Sequence, residues 1–201
     1  MSSNIKMITG SDQHVIEQIL QGNKRAYALL VDRYKERVFT TALRMMKNRE
    51  EAEEVAQDTF IKMFKSLANF KGSSKFSTWL YKIAYNTCLD RLKKKTINIV
   101  DDAIEDITPA FLATVDSALD IMQEREQQQA INSCLQQLPG DDGFILTLYY
   151  FEDLSVDEIA GIVGLKANNI KIKMYRSRKK LAVLLRQHLE PEIILNYEKE
   201  H

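Results

Sequence analysis

The chain has 201 residues, of which 45% are hydrophobic and 28% charged, so it can form one large or two small globular cores. No run of about 18 apolar residues and no N-terminal signal pattern occurs, and we therefore expect neither membrane insertion nor export. Two distant cysteines, Cys88 and Cys134, favour free buried thiols in a reducing cytoplasm.

The zero net charge hides a strong segregation of charge along the chain. Residues 23–95 hold 17 basic and 8 acidic side chains, a net of +9. Residues 96–130 hold 1 basic and 8 acidic side chains, a net of −7, and residues 166–181 hold 7 basic and none acidic. Two basic segments on either side of an acidic connector indicate two separate nucleic-acid contacts.

Two long helices are predicted in the first half of the chain, from Asn23 to Lys47 and from Asn48 to Leu67, after a loose start and a short helix in residues 1–22. Apolar residues recur in both at the spacing that places them on one helix face. In the first helix this face is Tyr27, Leu30, Val31, Tyr34, Val38, Thr41, Ala42 and Met45. In the second it is Ala52, Val55, Ala56, Thr59, Phe60, Met63, Phe64 and Leu67. Strand signals are scarce, and we predict an all-α protein.

The opposite face of the second helix is acidic, with Glu50, Glu51 and Glu54 in its first turns, where the helix dipole favours negative charge. A solvated surface explains such a face. However, Gln57 and Asp58 stand beside Ile61, which the periodicity leaves exposed, and this mixture suits a partner surface. The residue pattern leaves both interpretations open.

The stretch from Phe70 to Lys95 combines aromatic, hydroxyl and basic residues. A Gly-Ser turn comes first, then a cluster around Trp79, the only tryptophan, and then a helix with a basic end. Unstacked bases need aromatic faces and their phosphates need cations, so this stretch indicates single-stranded nucleic-acid binding. The alternative is that Phe76, Trp79 and Tyr81 are core aromatics and the lysines a solvated helix end.

Residues 96–122 are rich in acidic side chains, and Pro109 interrupts any long helix, so we predict an acidic linker here. A chain of this length spans roughly 90 Å when extended. The acidic stretch can therefore join two domains that contact separate elements of DNA.

The sequence pattern of the second domain predicts a helix-turn-helix. Helices are expected over 123–138 and 144–151, followed by a capping box that starts at Ser155 and a helix that ends at Val163. Gly164 fits the C-cap, and a final helix begins near Ala167. The second helix of such a motif enters the major groove with its N-terminal residues first. A plain helical hairpin with a basic solvent face is the alternative.

The order of these features resembles the sigma-70 family of bacterial sigma factors, in its extracytoplasmic-function (ECF) group. Residues 51–60, EAEEVAQDTF, resemble region 2.2, and residues 70–79, ending in KFSTW, resemble region 2.3. Residues 85–95 resemble region 2.4, and residues 154–181 resemble region 4.2. The resemblance implies a region 2 helical bundle and a region 4 helix-turn-helix joined by the acidic linker. The predicted segments are an extension at 1–22, region 2 at 23–95, a linker at 96–122, region 4 at 123–190 and a tail at 191–201.

The resemblance also implies site residues, in three sets. The polymerase set, expected to contact the β′ clamp helices of core RNA polymerase, is Glu51, Glu54, Gln57, Asp58 and Ile61. The −10 set, expected to recognise and melt the −10 element of promoter DNA, is Lys75, Phe76, Ser77, Thr78, Trp79, Lys82, Asn86, Arg91, Lys93 and Lys94. The −35 set, expected to read the −35 element, is Asn168, Asn169, Lys171, Ile172, Lys173, Arg176, Arg178 and Lys179.

Further partners implied by the resemblance are the β flap of polymerase and a sequestering anti-sigma factor, which can hold the cytoplasmic protein at the membrane. The chain departs from the family at Lys166, where Ser or Thr usually caps the recognition helix, and at Ile172, where a small hydroxyl residue is common. Because Lys cannot cap in this way, we expect a displaced or frayed helix start. The role of the apolar residues in 182–201 stays open.

Two other function classes compete with this interpretation. A stand-alone helix-turn-helix regulator explains residues 154–181 but leaves the polymerase set and the Phe76–Trp79 cluster without a role. An enzyme is not expected, because the histidines lie near the chain ends and no HExxH, GxSxG or phosphate-binding glycine loop occurs. The sequence predicts neither a metal nor a cofactor.

Overall fold

A computed structural model describes residues 11–93 and 125–188, which form helices joined by short connections. The helices of the first domain are α1 (Asp12–Leu20), α2 (Lys24–Met46), α3 (Arg49–Ser66), a 3₁₀ turn (Leu67–Asn69) and α4 (Phe76–Lys93). The helices of the second domain are α5 (Arg125–Gln137), α6 (Asp142–Tyr150), α7 (Val156–Val163) and α8 (Ala167–His188). The predicted linker and C-terminal tail lie outside the described residues.

The helix boundaries follow local chemistry that the sequence shows. The Asn23 side chain caps α2, and the Asn48 side chain accepts a hydrogen bond from the Glu51 amide at 3.0 Å to cap α3. Between them Lys47 adopts a left-handed conformation, φ 59°, that ends α2. Both long helices therefore begin and end within a residue of their predicted bounds.

The core of the first domain lies between α2, α3 and α4, and α1 packs against α2. The predicted apolar faces are largely buried, as at Leu30, Val38 and Met63. Phe64 is an exception, since its side chain is 48% exposed although the periodicity predicts burial. Phe64 lies at the edge of the apolar stripe, where the Tyr27 ring packs edge-on against it at 4.9 Å.

The second domain packs α5, α6 and α7 against α8, which buries Ile170 and Met174 in its first half and Leu181 and Leu185 in its second half. Gly143 permits the close approach of α5 and α6, because a Cβ atom there would lie 2.4 Å from the Leu135 carbonyl oxygen. Any side chain at this position would force the two helices apart.

The two domains are in contact, with α2 against α5 and α6, and α4 against α7. No strand occurs in the described residues, and the predicted all-α fold with two helical domains is confirmed. Cys88 and Cys134 are free and buried, as predicted. Burial raises the pKa of the Cys88 thiol to about 12 and that of Cys134 to about 11, so neither is activated as a nucleophile.

Candidate nucleic-acid interface

The aromatic residues at the start of α4 form a cluster. Phe76 is only 4% exposed, and its ring lies 5.5 Å from Tyr34, 5.7 Å from Phe70 and 5.8 Å from Trp79. The rings of Phe70 and Trp79 also approach to 5.2 Å. The cluster fixes the loop before α4 to the domain core and leaves Trp79 half-buried, while Phe76 is part of the core.

The −10 set divides by exposure along α4 and the loop before it. Its exposed members are Lys75, Lys82, Asn86 and Lys93. Its half-buried members are Ser77, Trp79 and Arg91, whereas Phe76 and Thr78 are buried and Lys94 lies outside the described residues. Lys82, Asn86 and Lys93 are four and seven residues apart, so they share one stripe of the helix. This stripe is a basic and amide surface open to a large partner.

The basic end of α4 adjoins the acidic face of α3. Arg91 forms an ion pair with Glu54, and Lys62 lies 3.2 Å from Asp90. Arg91 belongs to the −10 set and Glu54 to the polymerase set. The two predicted surfaces are therefore neighbours on the first domain.

The polymerase set lies along the outer face of α3. Glu54, Gln57 and Asp58 are exposed, Ile61 is 51% exposed and Glu51 is half-buried. Exposed Ile61 and Phe64 add apolar surface to the acidic face, a mixture typical of protein interfaces.

A groove of about 380 Å³ lies beside this face, between α2 and α3. Its lining includes Gln57, Phe60 and Phe39, and the Arg49 guanidinium stands over the Phe39 ring at 5.4 Å from its centre. An apolar floor with charged walls suits an inserted side chain of a protein partner.

The helix-turn-helix of the second domain forms as the sequence predicts. The Ser155 hydroxyl accepts a hydrogen bond from the Glu158 amide at 3.3 Å, and the Ser155 amide donates to the Glu158 carboxylate at 2.9 Å. Gly164 takes a left-handed conformation, φ 78°, and ends α7. The Lys166 carbonyl accepts from the Asn169 and Ile170 amides, so α8 begins at Ala167. The expected displacement of this helix start does not occur, because the backbone turn closes on the Lys166 carbonyl.

The N-terminal half of α8 presents much of the −35 set. Asn168, Asn169, Lys171, Ile172 and Arg176 are exposed. Arg178 and Lys179 are half-buried, and the Lys179 ammonium lies 5.1 Å from the centre of the Tyr175 ring. Ile170 and Met174 face the core. Tyr175 is 46% exposed beside these residues and was missed by the sequence argument, although it shares a stripe with Lys171 and Lys179 at spacings of four.

Lys173 differs from its neighbours in the −35 set. Its ammonium group lies 2.7 Å from Asp141 and 3.2 Å from Asp142, at the start of α6. Burial lowers the pKa of Lys173, but the hydrogen bonds and charges of these two carboxylates outweigh burial and raise it above its ordinary value. In this arrangement Lys173 faces α6, whereas Lys171 faces solvent.

Tyr81 and Tyr85, on the inner side of α4, face the second domain. Tyr81 donates a hydrogen bond to Glu152, and Tyr85 donates to Asp141 at 2.9 Å. Burial, together with these carboxylates, raises the pKa of both phenols. The sequence analysis considered Tyr81 only as a core residue or a base-stacking residue. No local pattern could indicate its partner Glu152, which lies about 70 residues away in the chain.

No group of three His, Cys, Asp or Glu side chains among the described residues could hold a metal ion. Within the same ranges, no helix has the length and apolar character to cross a membrane.

Family models match both domains. Sigma-70 region 2 matches residues 30–97, in the first domain, and sigma-70 region 4 matches residues 128–181, in the second. RNA polymerase sigma-H factor of Pseudomonas aeruginosa is 33% identical over 186 residues, covering 88% of this chain and 96% of that protein. ECF RNA polymerase sigma factor SigW of Bacillus subtilis is 33% identical over 177 residues, covering 85% and 95%.

Solved structures share the fold. CnrH in complex with the cytosolic domain of CnrY has a TM-score of 0.61 at 23% identity, covering 90% of this chain and all of that one. The sigma factor RpoE of Bartonella quintana, in complex with the anti-sigma factor NepR, has a TM-score of 0.60 at 19% identity, covering 80% and 96%. The chain belongs to the sigma-70 family of RNA polymerase sigma factors, and its relatives are of the ECF type.

Proposed function

We propose that this chain binds core RNA polymerase and directs promoter-specific transcription initiation. The first domain recognises and melts the −10 element, and the second domain reads the −35 element. One observation carries the proposal: each domain, in the segment matched by its family model, presents an exposed face of basic and amide side chains on one helix. These faces are the Lys82–Asn86–Lys93 stripe of α4 and the N-terminal half of α8.

Melting needs both cations and a place for an unstacked base. The exposed stripe of α4 can follow the phosphates of a single strand, and Trp79, half-buried at its start, offers part of an aromatic face. Unpairing costs a few kcal/mol per base, which stacking and pocket contacts offset. Phe76 supports this surface from below, since its ring holds Trp79 and the preceding loop in place.

Duplex recognition falls to α8. Its exposed N-terminal residues are those that a helix-turn-helix inserts into the major groove. Asn168 and Asn169 suit adenine edges, Lys171 suits guanine edges or phosphate, and Ile172 suits a thymine methyl group. Arg176, one turn further along, suits the phosphate backbone.

The protein partners follow from the remaining surfaces. The outer face of α3 binds the β′ clamp helices of polymerase, and the second domain meets the β flap. The solved neighbours are complexes with CnrY and with the anti-sigma factor NepR, and we infer that an anti-sigma factor also sequesters this chain. It acts in the cytoplasm and performs no catalysis of its own.

Gel filtration with bacterial core polymerase tests the polymerase surface. We expect the chain to co-elute with core, and Gln57→Ala combined with Asp58→Ala to weaken co-elution while helicity and unfolding midpoint stay unchanged. The matched control is Glu17→Ala with Gln18→Ala, an adjacent acid–amide pair on α1, which should co-elute normally.

Two outcomes would contradict the proposal. Loss of folding in the α3 double variant would mean that this face is structural. Failure of the unmodified chain to co-elute, together with salt-sensitive binding to duplex DNA by the chain alone, would favour a stand-alone helix-turn-helix regulator.

A further inference from the structure

The first helix, α1, lies outside the segment that the sigma-70 region 2 model matches, since that segment begins at residue 30. The sequence analysis placed this helix in an extension at residues 1–22. In the structure α1 packs against α2 and against the 3₁₀ turn that precedes the loop before α4. Its residues Val15 and Ile16 are buried, so apolar packing fixes the helix on the first domain.

Asp12, the first residue of α1, makes two contacts with α2. One carboxylate oxygen accepts a hydrogen bond from the Tyr34 hydroxyl at 2.6 Å, and the other forms an ion pair with Arg33. The Ser11 hydroxyl caps the helix by accepting from the His14 amide at 3.4 Å. The carboxylate therefore stands at a defined helix start, where the helix dipole also favours negative charge.

Tyr34 connects Asp12 to the aromatic cluster at the start of α4. Its side chain is buried, and its ring packs edge-on against Phe76 with the ring centres 5.5 Å apart. Burial raises the pKa of the Tyr34 phenol, and the hydrogen bond and charge of Asp12 raise it further. The hydroxyl is therefore protonated at neutral pH, and its bond to a carboxylate fixes the orientation of the ring.

Phe76 contacts the two remaining rings of the cluster. Its ring centre lies 5.8 Å from that of Trp79 and 5.7 Å from that of Phe70, within the range of paired aromatic rings. Phe76 is buried, whereas Trp79 is half-buried and can be reached by a base. Contacts therefore run without a gap from Asp12 through Tyr34 and Phe76 to Trp79.

The start of α1 also borders the loop that leads into α4. Gly72 in this loop has a left-handed conformation, φ 68°. The side-chain oxygen of Gln13 lies 3.9 Å from the position that a Cβ atom at Gly72 would take. Gln13 directly follows Asp12, so the same end of α1 lies beside the loop and reaches the aromatic cluster through Tyr34.

The position of the Trp79 ring bears on melting, because an unpaired base must find an aromatic face in order to stack. If the ring has to be ordered during strand separation, the free-energy cost of ordering it opposes that step. A ring that the protein holds in place beforehand avoids this cost. A contact that fixes the ring from behind can therefore favour promoter opening without touching DNA.

We propose that Asp12 is a positioning residue for promoter melting: through Tyr34 and Phe76 it holds Trp79 in the orientation in which an unpaired base stacks on it. The proposal rests on the melting role proposed above for the first domain. It makes α1 a working part of the melting surface. Because Asp12 acts through the aromatic cluster, its effect falls on strand separation and not on duplex binding.

Fluorescence of the free chain tests whether Asp12 fixes Trp79, which is the only tryptophan. Asp12→Ala removes the acceptor, and Tyr34→Phe removes the hydroxyl while keeping the ring against Phe76. Each variant should shift Trp79 emission to longer wavelength and increase its quenching by acrylamide. The double variant should do no more than the larger single change, because both substitutions remove the same hydrogen bond.

Asp32→Ala is the matched control, because Asp32 is an exposed aspartate of α2 that pairs with Lys35 at 3.0 Å. It should change neither the emission nor the quenching. Helicity and the urea midpoint are measured for every variant. Tyr34→Phe decides the test where Asp12→Ala fails to fold, since it leaves the ion pair between Asp12 and Arg33 in place.

Holoenzyme on a promoter that it selects from a genomic-fragment library tests the effect on melting. Permanganate footprinting measures opening, and a gel shift measures closed-complex formation. A hydrogen bond to a charged group shifts an equilibrium by roughly tenfold, so we expect opening to fall several-fold in Asp12→Ala and Tyr34→Phe. Closed-complex formation should be unchanged in both, and Asp32→Ala should match the unmodified chain in both assays.

The proposal is overturned if folded Tyr34→Phe matches the unmodified chain in Trp79 emission and quenching. It is also overturned if the variants lose opening and closed-complex formation equally, because Asp12 would then be structural only. Failure of the unmodified chain to open any promoter contradicts the proposed function instead. The fluorescence result then still shows whether Asp12 fixes Trp79, since neither polymerase nor DNA is present in that measurement.

Discussion

The Glu158 carboxylate takes part both in the N-terminal cap of α7 and in the contact between the two domains. Its carboxylate accepts from the Ser155 amide and hydroxyl at the start of α7, and it also accepts from Thr78 of the other domain. The backbone hydrogen bond from Ser155 lowers the pKa of Glu158, and the bonds from Ser155 and Thr78 hydroxyls add to this. A lowered carboxyl pKa stabilises the fold above its ordinary pKa, and this stabilisation is lost as the pH falls through the lowered value.

Ser155→Ala tests the cap of the helix-turn-helix. The variant loses the hydroxyl that accepts from the Glu158 amide, and an N-cap of this type stabilises a helix by about 1 kcal/mol. We expect the free energy of unfolding in urea to fall by that amount. Ser74→Ala, in the exposed loop before α4, should leave it unchanged, and an equal fall in both variants would contradict a capping role.

At the scale of elements, Lys171 and Lys173 lie only two residues apart on α8 but on different sides of the helix. Lys171 is exposed, whereas Lys173 forms ion pairs with Asp141 and Asp142. Lys180 adds a further pair with Asp142 at 3.1 Å. One basic helix therefore both holds α6 and offers cations to a partner.

Lys171→Ala and Lys173→Ala should separate these two roles. We expect Lys171→Ala to weaken duplex DNA binding and reduce the slope of log affinity against log salt by about 1, with stability unchanged. Lys173→Ala should lower the unfolding midpoint, because it leaves buried Asp142 with fewer partners. Equal effects of both variants on DNA affinity and stability would contradict this division.

Trp79→Ala tests the melting surface of α4. The change removes the half-buried ring beside Phe70 and Phe76, and we expect promoter opening to fall more than closed-complex formation. Permanganate footprinting measures opening, and a gel shift with holoenzyme measures closed-complex formation. Equal loss in both assays would mean that Trp79 is a core residue only.

Helix positions and caps were predictable because they depend on local sequence. The 3.6-residue repeat of apolar positions indicates each helix, and an N-cap residue marks its start: Asn for α2 and α3, and Ser for α7. A Gly marks the end of α7. The exposure of individual rings in the aromatic cluster could not be predicted. Phe76 and Trp79 are both large aromatic residues on the same face at the start of α4, and they differ only in which neighbours cover them. The partners of Lys173 were missed because its counter-charges come from α6, outside the basic segment.

The contact between domains lay beyond sequence reasoning for the same reason. Thr78, Tyr81 and Tyr85 are spaced as one helix face, but nothing local says that carboxylates about 60–80 residues away meet them. The roles of the −10, −35 and polymerase sets rest on the family resemblance, and the structure adds where each residue lies. They stay predictions until the variants above are measured.

At the scale of the whole molecule, zero net charge results from segments of opposite sign along the chain, with residues 23–95 and 166–181 basic and residues 96–130 acidic. The first domain is basic, and the second domain brings Asp141, Glu152 and Glu158 against its α4. Hydrogen bonds from α4 hydroxyls to these carboxylates contribute to the contact between the two domains. Neutral composition and a DNA-binding role are therefore compatible.

Transcription of a genomic-fragment library by core RNA polymerase, with and without this chain, tests the central claim most directly. The account predicts new start sites that appear only with the chain and share two upstream elements. It further predicts that these start sites disappear when Gln57→Ala and Asp58→Ala are combined. Identical start sites with and without the chain, under conditions where core is active, would contradict its assignment as a promoter-specificity factor.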